Sequence, residues 1–263
     1  MICARALNTS PIHDSNTMTT TTFDFSGQRA LVTGASSGIG RAVAVRLAQS
    51  GAAVIAVGRN AAALDALHTE AGCTPLTVDV ANPAELERAL AALPAFDLVV
   101  NCAGIALLEP ALDVQAESFD AVMAVNARAA ALVASRCGKA MIAAGVRGSI
   151  VNVSSQAALV ALDAHLCYCA SKAAMDAITR SLCLELGPHG IRVNSVNPTV
   201  TLTPMAEQAW SDPAKSAAAL RNIPLGRFAQ VDEVVAPILF LLSDGASMVS
   251  GAALPVDGGY TIV

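Results

Sequence analysis

The sequence predicts a single doubly wound α/β domain of the Rossmann type, with about seven parallel strands covered by helices on both faces. Three observations predict it. Short apolar runs alternate with longer amphipathic segments from Gln28 to the end of the chain. A glycine-rich loop directly follows the first apolar run. The apolar runs are continuous rather than alternating, as expected of strands buried on both sides. With 263 residues, 54% of them hydrophobic and only 14% charged, the chain can fill a large core.

The elements follow in order. RALVTG is a short buried strand, and the helix after the glycine loop runs to about Gln49. AAVIAVG is the second strand, and 60–71 is helical. TPLTVDV is the third strand. The helix over 82–93 has Asn82 as its cap and Pro83 at its first position, where the missing N–H costs nothing. FDLVVNCAG is a fourth strand with its turn, 117–144 a long helix, and GSIVNVSS the fifth strand. The helix from Tyr168 ends at Gly187-Pro188, a strong stop. IRVNSVNP is the sixth strand, 206–220 and 231–242 are helical, and 252–256 is the closing strand. Residues 1–24 are polar and threonine-rich without apolar period, and are expected to be a flexible extension of the 25–263 domain.

Composition excludes several classes. A net charge of -5 without a basic stripe argues against a nucleic-acid surface. No apolar run approaches the roughly eighteen residues of a membrane span. VVAPILFLL is too short and contains Pro237. Seven scattered cysteines, with no paired spacing, read as free thiols in a reducing, cytoplasmic compartment. Cys167 and Cys169 flank Tyr168 but do not share a helix face, so no metal site is predicted.

The loop Thr33-Gly34-Ala35-Ser36-Ser37-Gly38-Ile39-Gly40 opens a helix. Its glycines allow a tight turn and close approach of the backbone to a pyrophosphate, and the helix N-terminus faces the phosphates. The second strand ends in Gly58-Arg59-Asn60, with no acid to hold a ribose 2′-hydroxyl. An arginine there suits a 2′-phosphate, so the pattern favours NADP(H) over NAD. Ser37 and Arg41 are further candidates for phosphate contacts. In CYCASK, Tyr168 and Lys172 are spaced to share one helix face. A nearby cation favours the phenolate, and Ser155 supplies a hydroxyl that can hold a carbonyl oxygen. A proton donor, a cation and an orienting group are what carbonyl reduction needs.

TGASSGIG (33–40), Asp79, NCAG (101–104), VNARA around Asn126, VNVSS (151–155), YCASK (168–172), VNPT (196–199) and VDGG (256–259) occur in this order. Together they resemble the classical short-chain dehydrogenases/reductases over essentially the whole chain from Phe25. The resemblance implies a catalytic set of Asn126, Ser155, Tyr168 and Lys172. It implies cofactor contacts at Gly34, Ser36, Ser37, Gly38, Ile39, Gly40, Arg59, Asp79, Val80, Asn101, Ala103 and Gly104, at Tyr168 and Lys172, and at Pro198, Thr199, Val200 and Thr203. Two positions depart from the pattern. Cys102 stands where an asparagine is usual, and Thr199 where glycine is most frequent.

ALLEP, VNVSSQ, LELGPHGIRVN, NPTVTLTPM, WSDP and IPLGRFA resemble the dicarbonyl/L-xylulose reductase subfamily in particular. That likeness implies NADPH-dependent reduction of L-xylulose, other ketoses and α-dicarbonyls. Its substrate positions fall on Ser155, Gln156, Leu162, His165, Tyr168 and Trp210. Asn126 is implied to hold Lys172 and an ordered water. A homotetramer through the two long helices and the last strand is implied as well. A polyol dehydrogenase, or a ketoacyl- or steroid-type reductase, is compatible with the same fold. A non-catalytic dinucleotide sensor fits the complete Ser-Tyr-Lys-Asn set less well.

Overall fold

A computed structural model describes residues 22–203, 206 and 212–262. Its centre is a seven-stranded sheet in the order β3-β2-β1-β4-β5-β6-β9, with every pairing parallel. The strands are β1 (Arg29–Thr33), β2 (Ala53–Gly58), β3 (Thr74–Thr77), β4 (Leu98–Asn101), β5 (Ser149–Val153), β6 (Arg192–Pro198) and β9 (Ala253–Val256). A separate parallel pair joins β7 (Thr201–Leu202) to β8 (Ala229–Gln230).

Alternation along the strands sorts the core onto two faces. Ala30 and Val32 of β1 face one way, with Val54 and Ala56 of β2 and Val100 of β4. That face is covered by α1 (Gly38–Gln49), α2 (Ala61–Ala71) and α8 (Val231–Leu242), through Leu47, Leu64 and Ile238. Leu31, Val57, Val99, Ile150 and Val193 face the other way. They meet α3 (Pro83–Ala91), α5 (Ala129–Ala144) and α6 (Leu166–Leu186), through Leu86, Met141 and Leu186. Burying each such side chain contributes about 1.5–3 kcal/mol, which is the main force holding helices to the sheet.

Local chemistry sets the element ends. The Asn82 side chain accepts from the Ala84 and Glu85 N–H groups and starts α3 with Pro83 at its first position. The third strand is shorter than the sequence suggests. Val78 still bonds the Gly58 carbonyl, but the Asp79 carboxylate then accepts from Ala81 N–H and turns the chain toward α3. The fourth strand also stops early, because Thr33 Oγ1 takes the Cys102 and Ala103 N–H groups in place of a ladder bond. The helix expected over 117–144 starts at Ala116 as α4 (Ala116–Met123) and continues as α5, with a five-residue π-turn, Ala124–Arg128, between them. The helix expected from Tyr168 begins two residues earlier, at Leu166. Within the expected 206–220 helix, α7 covers Pro213–Leu220.

The chain runs outward through β1, β2 and β3, then returns to β4 on the other side of β1. The reversal opens a crevice at the carboxyl ends of β1 and β4, the usual ligand position in open α/β sheets.

Candidate active site

The predicted residues converge on the carboxyl ends of β1, β4, β5 and β6 and on the first turns of α6. Gly34 (φ 69°) follows β1, and a Cβ there would sit 2.7 Å from the Ala103 nitrogen. Only glycine lets the loops after β1 and β4 approach so closely. A Cβ on Gly40 would meet the Gly34 carbonyl oxygen at 2.4 Å, so α1 starts directly against its own loop. Ser36 packs on Gly58 at the end of β2, next to Arg59. Ser37 is the residue before α1, and Ile39 lies in its first turn. Thr203 reaches Gly38 from the loop after β7. Val80, Asn101 and Ala103 line one small cleft with Thr33 and Val125.

Asn101 is turned inward. Its side-chain N–H donates to the Ala130 carbonyl (3.3 Å) and to Asn152 Oδ1 (2.9 Å), so it ties β4 to β5 and α5. Arg41 forms an exposed ion pair with Glu70 of α2. Arg59, by contrast, makes no ion pair with any described residue.

Tyr168 stands in the first turn of α6 and Lys172 one turn later. The Lys172 Nζ lies 5.6 Å from the Tyr168 ring centre. Lys172 is 4% exposed, and Nζ donates to the Val153 carbonyl at 2.8 Å. Ser154 Oγ donates to the Lys172 carbonyl at 3.2 Å, so the end of β5 and α6 are tied in both directions. Ser155 is the next residue, buried, with Oγ accepting from Ala157 N–H at 3.1 Å. The end of β5 that carries Ser155 is therefore tied to the helix that carries Tyr168 and Lys172.

Asn126 is fully buried in the π-turn. Its Oδ1 accepts from Ile105 N–H (2.8 Å), and its Nδ2 donates to the Ile105 carbonyl (2.9 Å) and to Ser171 Oγ (2.9 Å). The amide thus clamps the loop after β4 to the first turns of α6. A Cβ on Gly104 would lie 3.5 Å from Asn126 Oδ1 and 3.6 Å from Lys172 Nζ, so this position lies directly against both side chains.

Gln156 is buried, and its Oε1 has no partner among the described residues. Leu162 is half-buried, and its carbonyl accepts from His165 N–H. His165 Nδ1 lies 2.5 Å from the Asp163 carbonyl, and its ring meets Tyr168 edge-on at 6.2 Å. A backbone bond from Glu109 N–H to the Ala164 carbonyl joins this loop to the one after β4. Ala164 itself is left-handed (φ 56°), a strained conformation for a residue with a side chain. Trp210 lies outside the described residues. Pro198 ends β6, Val200 accepts from Ala229 N–H, and Thr199 Oγ1 is buried with no partner among the described residues.

The model of a family described as enoyl-(acyl carrier protein) reductase matches residues 34–261. The chain is 52% identical to the L-xylulose reductase of Mus musculus over 235 residues, 89% of this chain and 96% of that one. It is 51% identical to the D-erythrulose reductase of Gallus gallus over 239 residues, 90% and 97% of the two chains. The chain belongs to the short-chain dehydrogenase/reductase family. Among solved members, an Agrobacterium tumefaciens protein described as a 2-deoxy-D-gluconate 3-dehydrogenase with bound NADP superposes with a TM-score of 0.85 at 32% identity. The match covers 93% of this chain and all of that one.

Several parts of this short-chain dehydrogenase/reductase site escape sequence reasoning. Asp176, Ser195 and Asn197 form a buried polar group behind Ser155. Asp176 lies one helical turn beyond Lys172, a spacing that could have drawn attention to it. The π-turn and the Ala164 conformation leave no comparable mark in the sequence.

Burial pushes the thiols of Cys102 and Cys137 from 9.0 up to about 12, with the Lys172 charge pulling Cys102 the other way. An unfolded thiol ionises near 9.0 while the folded one keeps its proton to about 12. Between those values the folded state binds more protons, so stability is full below pH 9.0 and falls as pH rises toward 12. Urea unfolding of the wild type is expected to weaken more steeply over this window than that of a Cys102→Ser/Cys137→Ala variant. Equal slopes would show that neither thiol is held protonated.

Proposed function

We propose that the chain is an NADPH-dependent carbonyl reductase of L-xylulose, related short ketoses and α-dicarbonyls. The observation that carries the reading is that the end of β5, which carries Ser155, is tied through Ser154 and Val153 to Lys172 of α6, the helix that also carries Tyr168. The identity to L-xylulose and D-erythrulose reductases over nearly the full chain supports the substrate class.

The residues present fit a dinucleotide phosphate. Gly34 and Gly40 leave a loop whose backbone a pyrophosphate can approach, at the N-terminus of α1. Arg59 stands without an ion pair to a described residue beside Ser36, in the place of a 2′-phosphate contact. The buried Thr199 Oγ1, without a partner among the described residues, suits the carboxamide of a nicotinamide. When bound, NADPH supplies a hydride for the carbonyl carbon. Ser155 Oγ holds the carbonyl oxygen, and Tyr168 donates its phenolic proton to that oxygen. The Lys172 ammonium stands where negative charge develops as the proton leaves. Asn126 fixes the loop after β4 and, through Ser171, the first turns of α6. The Tyr168 proton is replaced from solvent. Gln156 and His165 offer hydrogen bonds to sugar hydroxyls, with Leu162 as an apolar wall and Trp210 proposed as its counterpart. Run backwards, the same residues oxidise the product alcohol.

Initial rates on L-xylulose, diacetyl and a ketoacyl ester, each with NADPH and NADH, test this reading. Turnover of the first two with NADPH preferred is expected, and Arg59→Ala should cut the NADPH preference at least tenfold, the loss of a charge-assisted phosphate contact worth about 1.4 kcal/mol or more. Reduction of the ester alone would overturn the substrate class, and an unchanged cofactor ratio would remove Arg59 from the site. Tyr168→Phe should lose nearly all turnover while binding NADPH as the wild type does. A variant keeping more than about a tenth of kcat would exclude Tyr168 as proton donor.

The free state of the six described cysteines supports a reducing, cytoplasmic setting. Among the described residues, no helix is long and apolar enough to cross a membrane. We further propose a homotetramer, supported by the open alanine-rich groove between the α4–π-turn–α5 run and α6, lined by Met123, Ala124, Ala127, Ala174 and Ile178. Light scattering should give a mass of four chains at micromolar concentration, and a monomer would contradict it.

A further inference from the structure

We infer that Asp176 is a positioning residue for the reaction: its buried carboxylate orients the Asn197 amide, which holds the Ser155 backbone carbonyl and so sets where the Ser155 hydroxyl stands. The inference rests on the reading of Ser155 given above. Asp176 is 4% exposed and sits one turn after Lys172 on α6. Its Oδ1 accepts from Ser195 Oγ at 2.9 Å and its Oδ2 from Asn197 Nδ2 at 2.8 Å. Ser195 and Asn197 alternate on β6, so both side chains reach the same face. Among the described residues no cation forms an ion pair with Asp176. Two neutral donors are thus what holds a carboxylate inside the protein, where an apolar side chain would carry no such desolvation cost.

The Asn197 amide shows what the carboxylate accomplishes. Both of its N–H bonds are used, one on Asp176 and one on the Ser155 carbonyl at 3.0 Å, while its Oδ1 is buried with no partner among the described residues. Rotating the amide by half a turn would aim Oδ1 at two acceptors, the Asp176 carboxylate and the Ser155 carbonyl. Asp176 therefore forbids the flipped amide and keeps the donor on Ser155. The same Ser155 carbonyl accepts from Ala158 N–H at 3.0 Å, so it is held from both sides where β5 gives way to the short turn Gln156–Ala158. The helix that carries Tyr168 and Lys172 thus carries, one turn further on, the group that fixes the third catalytic side chain.

Asp176→Asn, Asn197→Ala and the double variant test this. The rates are read on whichever carbonyl compound the wild type reduces, so failure of the ketose assignment leaves the test intact. Each single variant should lose roughly tenfold or more in kcat, as sub-ångström misplacement of a reacting group does, with NADPH affinity within about twofold of wild type. The double variant should be no slower than the worse single one, because both act through one path. A general loss of packing would instead lower NADPH binding and kcat together. If Asp176→Asn does not fold, Asn197→Ala decides alone, and wild-type kcat there overturns the inference. Independently of turnover, a crystal structure of Asp176→Asn or Asn197→Ala should show Ser155 displaced. An unmoved Ser155, or losses that multiply in the double variant, would overturn it.

Discussion

The buried Lys172 ammonium is the interaction on which the rest of this site depends. An ammonium removed from water costs several kcal/mol unless its donors are met. Here Nζ donates to the Val153 carbonyl at the end of β5, and the Lys172 carbonyl accepts from Ser154. These bonds leave α6 little freedom to slide along the sheet. Tyr168, one turn before Lys172, and Ser155, two residues after Val153, inherit their separation from this single junction. Asn152 and Thr179 extend the attachment deeper into the sheet, with a 2.8 Å bond between fully buried side chains.

A second constraint is steric. The loops after β1 and β4 touch at Gly34 and Ala103, and the corner at Gly104 faces Asn126 and Lys172. The glycine loop after β1 and the corner around Gly104 are therefore built against each other. The π-turn contributes by rotating Asn126 out of the regular helix register, so that its amide meets the Ile105 backbone. A continuous α-helix would place the same asparagine differently, which is why π-turns recur at functional sites.

Most of the architecture was legible in the sequence because it rests on continuous apolar runs and strong punctuation. The seven strands, the Asn82 cap and the stop after Leu186 follow from such signals. Boundaries failed where a single side chain took over a backbone bond, as Thr33 does at Cys102 and Asp79 does at Ala81. The proximity of Tyr168, Lys172 and Ser155 was legible from helix spacing and the family likeness. The partners of Asn126 were not, since Ile105 and Ser171 are brought to it only by the folded loop. The ion pair of Arg41 with Glu70 left no mark in the sequence either, since α2 brings Glu70 close only in the fold. Asp176 remained silent for the same reason: its partners lie on β6, and no local pattern announces a buried helical carboxylate.

The most direct test of the account follows an atom. Reduction of L-xylulose by NADPH deuterated at both C4 positions, with mass spectrometry of the pentitol formed, should place one deuterium on the new carbinol carbon. Unlabelled pentitol, or no pentitol at all, would contradict hydride transfer from the cofactor to the ketose at this site.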